Sequence, residues 1–160
     1  MKTIAIWVVA MMAFIAGAQE NSKPNPAEKP QPSQEELDAR FKTMLTKATL
    51  SGRWCSLEEG KLGPEKKDRY TITSVAKVGK DVWLVNARIQ YGSKDMTLPI
   101  PVQVKWAGDT AVLVLDKFAA PGGDHTYSAR VLFHDNTYAG TWSGGDHGGM
   151  LYGTITQAKE

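Results

Sequence analysis

Short runs in which apolar and polar residues alternate fill the chain from about residue 50 onward. Alternation with a period of two is typical of strands that have one buried and one exposed face. The pattern predicts eight strands, at residues 52–58, 69–78, 82–91, 96–106, 110–116, 126–134, 137–143 and 150–156. Short connections favour antiparallel neighbours in up-and-down order. We therefore predict an all-β fold for residues 50–157, an eight-stranded antiparallel barrel or strongly curved sheet, because closure removes exposed strand edges.

A helical pattern precedes the strands. The apolar residues that recur at helical spacing are Leu37, Phe41, Met44, Leu45 and Ala48. Ser33 and Glu36, three residues apart, fit a capping box at the start of a helix. We predict an amphipathic helix within residues 34–48 that packs on the barrel, in preference to one that binds a membrane surface or a partner.

Two strands carry further detail. In the second strand, the alternation places Tyr70, Ile72, Ser74, Ala76 and Val78 on one face. In the fourth, Pro99 and Pro101 have no amide hydrogen to donate, and residues two apart address the same neighbouring strand. The sheet should be split or bulged there. A plain sheet edge and a gap that admits a ligand both fit this pattern.

The N-terminus has the features of a signal peptide, residues 1–18. Lys2 precedes an apolar run over residues 4–15, and Ala16-Gly17-Ala18 predicts cleavage between Ala18 and Gln19. The run is shorter than the ~20 apolar residues that span a membrane, so we expect export to the periplasm or medium and no membrane span in the mature form. Residues 19–33 are rich in proline and polar residues, which indicates a disordered linker.

The balance of charges limits the possible partners, and the single cysteine limits the possible sources of stability. The chain has 19 basic and 17 acidic residues, and removal of Lys2 with the signal peptide brings the two closer still. This balance gives no electrostatic reason to expect a nucleic acid as partner. Cys55 is the single cysteine, so no internal disulfide can form and stability has to come from a packed core. The oligomeric state is not indicated.

One phrase, Gly-Gly-Asp-His, occurs twice, at residues 122–125 and 144–147; we call these the GGDH copies. Asp135-Asn136 between them suits a two-residue hairpin turn. That register places His125 opposite Asp146, and Asp124 opposite His147. Imidazole and carboxylate side chains suit zinc or another divalent metal, and a metal-bound water can support hydrolysis. Gly-Gly-Asp is also common in plain turns, so a structural role remains open.

The tryptophans and tyrosines near the second GGDH copy are candidate ligand-binding residues. Tyr138, Trp142 and Tyr152 flank the glycine-rich rim, and alternation places Tyr138, Gly140 and Trp142 on one face. Core packing is the alternative role for each of them. An exposed aromatic face would instead suit a carbohydrate.

Gly52-Arg53-Trp54, at the start of the first strand, resembles the Gly-x-Trp element of the lipocalin and calycin barrels. The resemblance implies that Trp54 plugs the closed end of the barrel beneath a ligand cavity. Gly140-Thr141-Trp142 is similar to the Gly-Thr-Trp element of avidin-like barrels. The chain also resembles small exported bacterial proteins of unassigned function that carry the phrase at residues 142–147.

Three functional interpretations follow. The first is an exported, non-enzymatic module that binds a small or apolar ligand in the barrel through Trp54, Tyr138, Trp142 and Tyr152. The second is a metal site, with hydrolysis as one option, formed by Asp124, His125, Asp146 and His147. The third is a structural or interaction protein of the cell envelope.

Overall fold

The computed structural model describes residues 31–158, so the predicted signal peptide and most of the predicted linker lie outside the described residues. One helix is followed by nine strands: α1 (Gln34–Leu45), β1 (Ala48–Glu58), β2 (Lys61–Leu62), β3 (Lys66–Lys77), β4 (Val82–Tyr91), β5 (Lys94–Ala107), β6 (Thr110–Ala119), β7 (Thr126–His134), β8 (Thr137–Gly144) and β9 (His147–Gln157). Most strands are a few residues longer than the sequence predicts.

The eight long strands form a closed antiparallel barrel, which confirms the predicted fold. Each of them pairs with its successor, and β1 also pairs with β9 from Ala48↔Gln157 to Leu57↔Gly148. The short β2 pairs only with the end of β1. All backbone edges of the long strands are therefore shared within one ring, apart from local breaks described below.

Helix α1 begins as the sequence predicts and ends earlier. Ser33 and Glu36 exchange both capping-box hydrogen bonds, with Ser33 Oγ accepting from the Glu36 amide at 3.2 Å. The helix stops because Thr46 is extended and Lys47 adopts a left-handed φ of 58°. Ala48, predicted on the helix, is instead the first residue of β1.

The apolar face of α1 closes one end of the barrel. Phe41 is fully buried and meets the edges or faces of Trp83, Trp106 and Phe133, with ring centroids 5.2, 6.4 and 6.1 Å apart. Leu45 is buried beside it in the same core. The predicted packing of the helix on the barrel is therefore confirmed, and we call this the helix end.

A bulge in β3 changes the face that the alternation predicts. Ile72 pairs with Ala87 and Ser74 with Asn86, so Thr73 is an extra residue without a partner in β4. Beyond it the alternation shifts by one, because a single inserted residue exchanges the two faces of a strand. Val75 is buried, while Ser74, Ala76 and Val78 are exposed, which corrects their prediction.

The two prolines in β5 mark a gap in the barrel wall. The β4–β5 ladder passes both without interruption, but β5 pairs with β6 only from Gln103↔Val114 to Ala107↔Thr110. The Val104 amide donates toward the β4 side, to the Asp81 carbonyl at 2.9 Å. Amides alternate in direction along a strand, so the missing donors of Pro99 and Pro101 are those that would face β6. The predicted break is confirmed, between β5 and β6.

In the described part of the chain, no helix is long and apolar enough to cross a membrane. Cys55 is a buried free thiol in β1.

Candidate functional site

The barrel encloses a cavity of about 310 Å³. Its walls come from β1 and β3–β9, and nearly all of its lining side chains are aliphatic or aromatic. Ile72, Val85 and Val131 line its deep part, and Leu45 of α1 forms its floor. Concave, mostly apolar cavities of this kind are typical of small-molecule sites, and the volume is near the lower limit of that class.

The cavity opens at the end opposite the helix. Met96, Phe118 and Tyr127 line it there and are partly exposed. At the other end, Phe41 and its neighbours Trp83 and Phe133 are buried. The β6–β7 loop and the β8–β9 turn, which carry the GGDH copies, lie at this same end. We call it the mouth. The side chain of His147 lines the cavity and is about half exposed, so it lies on the rim.

Trp54 lies near the mouth and not at the helix end. Its ring meets Trp142 edge to face, with centroids 5.4 Å apart, and Tyr91 in the same manner at 6.3 Å. Trp142 in turn meets the imidazole of His147 at 5.5 Å. The closed end that the lipocalin resemblance implies for Trp54 is occupied by α1 and its aromatic neighbours, which corrects that expectation.

The two mouth tryptophans have unpartnered indole N–H groups. Trp54 Nε1 and Trp142 Nε1 are both buried, and neither finds a hydrogen-bond acceptor among the described residues. Buried indole N–H groups usually find an acceptor, and an unsatisfied buried donor costs about 1–3 kcal/mol. The described residues therefore leave two buried donors unsatisfied in the aromatic part of the cavity wall.

Asp68 of β3 carries a buried carboxyl group in the barrel wall. It is only 6% exposed and accepts hydrogen bonds from the hydroxyls of Tyr70 at 3.1 Å and Tyr138 at 3.3 Å. Burial raises the pKa of Asp68, and the two hydroxyls oppose that rise. Burial, together with the nearby Asp68 carboxyl, raises the pKa of both Tyr70 and Tyr138. Both tyrosines therefore act as neutral donors.

Two glycines let Tyr138 reach Asp68 across two intervening strands. Asp68 pairs with Gly52, Gly52 with Gly153, and Gly153 with Tyr138, so the four residues form one row across β3, β1, β9 and β8. A Cβ at Gly52 would lie 2.2 Å from the Tyr138 hydroxyl and 2.1 Å from the Tyr152 carbonyl oxygen. The glycine of the Gly-x-Trp element thus has a steric role in this chain.

The GGDH copies meet at the mouth but fold differently. In the second, Gly145-Asp146 forms the tight β8–β9 turn and His147 begins β9, while the first lies in the longer β6–β7 connection. The predicted Asp135-Asn136 turn is confirmed, as is its register from His134↔Thr137 to Tyr127↔Gly144. The ladder ends there, so it does not include the predicted opposition of His125 to Asp146 and of Asp124 to His147. The His125 ring packs on Gly145, where an added Cβ would lie 3.3 Å from the imidazole.

The carboxylates of the GGDH copies are exposed. His147 Nδ1 lies 3.1 Å from Asp146 Oδ1, and this hydrogen bond is the main reason why the pKa of Asp146 is lowered. Asp124 is also exposed. Across residues 31–158, no three His, Cys, Asp or Glu side chains are close enough to hold a metal ion together. The metal site stays a prediction, which zinc titration of the His125→Ala/His147→Ala variant would test.

The remaining aromatic predictions divide between the two faces of the wall. Tyr138 and Trp142 line the cavity, so the face that they share with Gly140 points inward and is not an exposed platform for a carbohydrate. Tyr152 lies on the outside, 44% exposed, and its hydroxyl bonds to Glu65. Trp54, Tyr138 and Trp142 therefore belong to the cavity, and Tyr152 does not line it.

Sequence reasoning missed several cavity residues, among them Tyr91 and Tyr127, and the buried Asp68. Alternation predicts that Tyr70 and Ile72 face inward, and extending it two residues back would have placed Asp68 on the same face. The burial of Asp68 depends on Tyr138, which lies 70 residues away in the chain and which no local pattern connects to it.

Together, fold and site define a closed eight-stranded antiparallel barrel with one N-terminal helix and an apolar internal cavity. In comparisons with known proteins, no family model, curated protein or solved structure matches the chain.

Proposed function

We propose that this protein is an exported, non-enzymatic binding module that holds a small apolar ligand inside its barrel. The apolar cavity of about 310 Å³, closed by α1 and open at the mouth, is the observation that carries the proposal. Apolar surface that is removed from water contributes roughly 25 cal/mol per Å², so a ligand that fills such a cavity gains affinity chiefly by burial. Lipocalins offer a functional analogy through the eight-stranded barrel and its cavity, although Trp54 lies at the mouth and not at the closed end.

Export belongs to the same proposal and is supported by the signal-peptide pattern of residues 1–18. A barrel that binds an apolar compound outside the cytoplasm can carry or sequester it in an aqueous compartment. Mass spectrometry of the N-terminus of the protein recovered from the periplasm or medium tests this part. A mature chain that begins at Gln19 is expected in that fraction, and protein found only in the cytoplasm with Met1 intact would contradict export.

Binding can be tested with N-phenyl-1-naphthylamine, an apolar dye whose fluorescence rises in apolar surroundings. Ala129→Phe adds a ring to a residue that lines the cavity in β7. Ala139→Phe makes the same change on the exposed outer face of β8 and is the matched control. We expect saturable binding to the unchanged protein and to Ala139→Phe, and at least about tenfold weaker binding to Ala129→Phe, since the added ring occupies ligand volume.

Circular dichroism and urea unfolding would show that both variants keep the fold. Equal binding to Ala129→Phe and Ala139→Phe would place the dye outside the cavity and contradict the proposal. So would the absence of saturable binding to the unchanged protein across a panel of apolar compounds of different sizes.

A further inference from the structure

We infer that the ligand carries a neutral carbonyl-type acceptor, held at the mouth by Trp54 Nε1 and Trp142 Nε1, with its apolar part directed toward α1. The inference rests on the proposed function and names the chemistry of its ligand. Its basis is the pair of buried indole donors for which residues 31–158 supply no acceptor.

The two donors belong to one site. Their rings are in edge-to-face contact at 5.4 Å, and both side chains line the same cavity. Of the neighbouring polar groups, His147 Nδ1 bonds to Asp146 and the Asp68 oxygens accept from two tyrosines. The Lys66 ammonium, 4.8 Å from the Trp54 ring centroid, can donate but not accept. No acceptor among the described residues bonds to either indole, so the acceptor comes from the ligand. Because both nitrogens are buried, the rings have to move for a ligand to reach the N–H groups.

The rest of the cavity determines which way the ligand lies. Toward the helix end the lining is aliphatic, with Leu45, Ile72 and Val85, and offers nothing to a polar group. Burying a polar group there without a partner is unfavourable. The acceptor therefore stays at the mouth, and the hydrocarbon part fills the deep end.

A neutral acceptor fits better than a carboxylate. Asp68 is buried in the same wall, and the groups that bond to it are the neutral hydroxyls of Tyr70 and Tyr138. The cation beside Trp54 is the Lys66 ammonium, which is exposed and lies 4.8 Å from the Trp54 ring centroid, so a carboxylate would find its counter-charge at the solvent-exposed rim. Inside the apolar cavity a carboxylate would be opposed by desolvation and by the nearby Asp68 carboxyl. Indole is a neutral donor and matches a ketone, ester or amide oxygen.

The test compares 2-decanone with decane, two chains of similar shape that differ by one acceptor oxygen, as competitors of the bound dye. In the Trp54→Phe/Trp142→Phe variant, we expect the preference for 2-decanone over decane to fall about fivefold or more, the range of one or two neutral hydrogen bonds. Decane affinity should change much less, because phenylalanine keeps the apolar ring. Trp106→Phe, beside Phe41 at the helix end, is the matched control and should keep the full preference.

Nuclear magnetic resonance gives a direct second measurement. The indole proton signals of Trp54 and Trp142 should move downfield with 2-decanone and not with decane. An unchanged preference for 2-decanone in the double variant, or indole signals that do not move, would overturn the inference; the two N–H groups would then bond to water.

Tighter binding of decanoate than of 2-decanone would overturn the part of the inference that makes the acceptor neutral. If neither decane nor 2-decanone displaces the dye, the carbonyl inference fails while saturable dye binding preserves the proposed function; if the unchanged protein binds no apolar compound at all, the proposed function itself fails.

Discussion

At the scale of single residues, Gly52 is a position where the surrounding structure leaves no room for a side chain. Its missing side chain lets the Tyr138 hydroxyl cross the wall to the buried Asp68 carboxyl. The Gly-x-Trp element identifies Gly52 and Trp54 from sequence alone, but it does not reveal that the glycine serves a tyrosine far along the chain. That contact exists only once β1, β8 and β9 are paired.

Gly52→Ala should therefore destabilise the barrel by about 2 kcal/mol or more, because the added carbon meets a backbone oxygen that cannot move away easily. Urea unfolding measures the change. Gly79→Ala is the control, since its new Cβ would come no closer than 3.4 Å to Val82, an ordinary contact. Similar loss of stability in both variants would contradict the steric explanation.

The buried Asp68 carboxyl should make stability depend on pH in an unusual direction. Burial raises its pKa above the ordinary 3.8, so the folded state binds more protons than the unfolded state between those two values. The Asp68 contribution to the free energy of unfolding therefore falls as pH rises through that interval. Asp81, Asp95 and Asp146, whose pKa values are lowered by their hydrogen-bond partners, act in the opposite sense.

A comparison with Asp68→Asn isolates this effect. We expect the stability of Asp68→Asn relative to the unchanged protein to increase as pH rises from below 3.8 through the raised pKa of Asp68, and then to level off. Urea unfolding at several pH values gives the difference at each pH. A difference that stays constant would show that Asp68 titrates in the folded protein as it does in the unfolded chain.

At the scale of the elements, the strands follow from alternation and turn residues, and the exceptions have local causes. The bulge at Thr73 cannot be predicted from the alternation. After Ile72, the next inward-facing residue could be Ser74, as in a regular strand, or Val75, as in a bulged strand, and both residue types are acceptable there. The break beside Pro99 and Pro101 is predictable because proline cannot donate to the ladder. Which neighbour lies across the break depends on the register with β4, which the sequence leaves open.

Pro99→Thr/Pro101→Thr should extend the β5–β6 ladder, because both new amides would face β6. The side chains on both sides of this gap line the cavity. They are Met96, Leu98 and Ile100 of β5, and Leu115 and Phe118 of β6. We expect slower uptake and release of the dye, each by a similar factor, with little change in its affinity. Stopped-flow fluorescence measures both rates, and hydrogen exchange detects the new amide bonds.

Pro64→Thr, in the exposed connection before β3, is the control for the loss of a proline and should leave both rates unchanged. If the double variant gains protected amides at 99 and 101 but exchanges the dye at the original rate, the ligand passes through the mouth and not between β5 and β6.

At the scale of the molecule, the sequence predicts a barrel but not whether it is hollow. Inward positions include small residues such as Ala87, Ala129 and Gly140, interspersed with aromatic ones. Whether the aromatic rings fill the space beside the small residues depends on the position of each ring along the barrel axis and on its rotamer. Here Phe41, Trp83 and Trp106 gather at the helix end, and the space above them remains open.

The pairing of β1 with β9 joins the two ends of the domain. During synthesis, β9 emerges after the other strands of the barrel, so the ring cannot close before β9 is available. Such nonlocal closure slows folding, because the loop entropy is lost before the contacts form. The order of synthesis thus keeps the barrel open, with the partner edge of β1 unpaired, until β9 has been made.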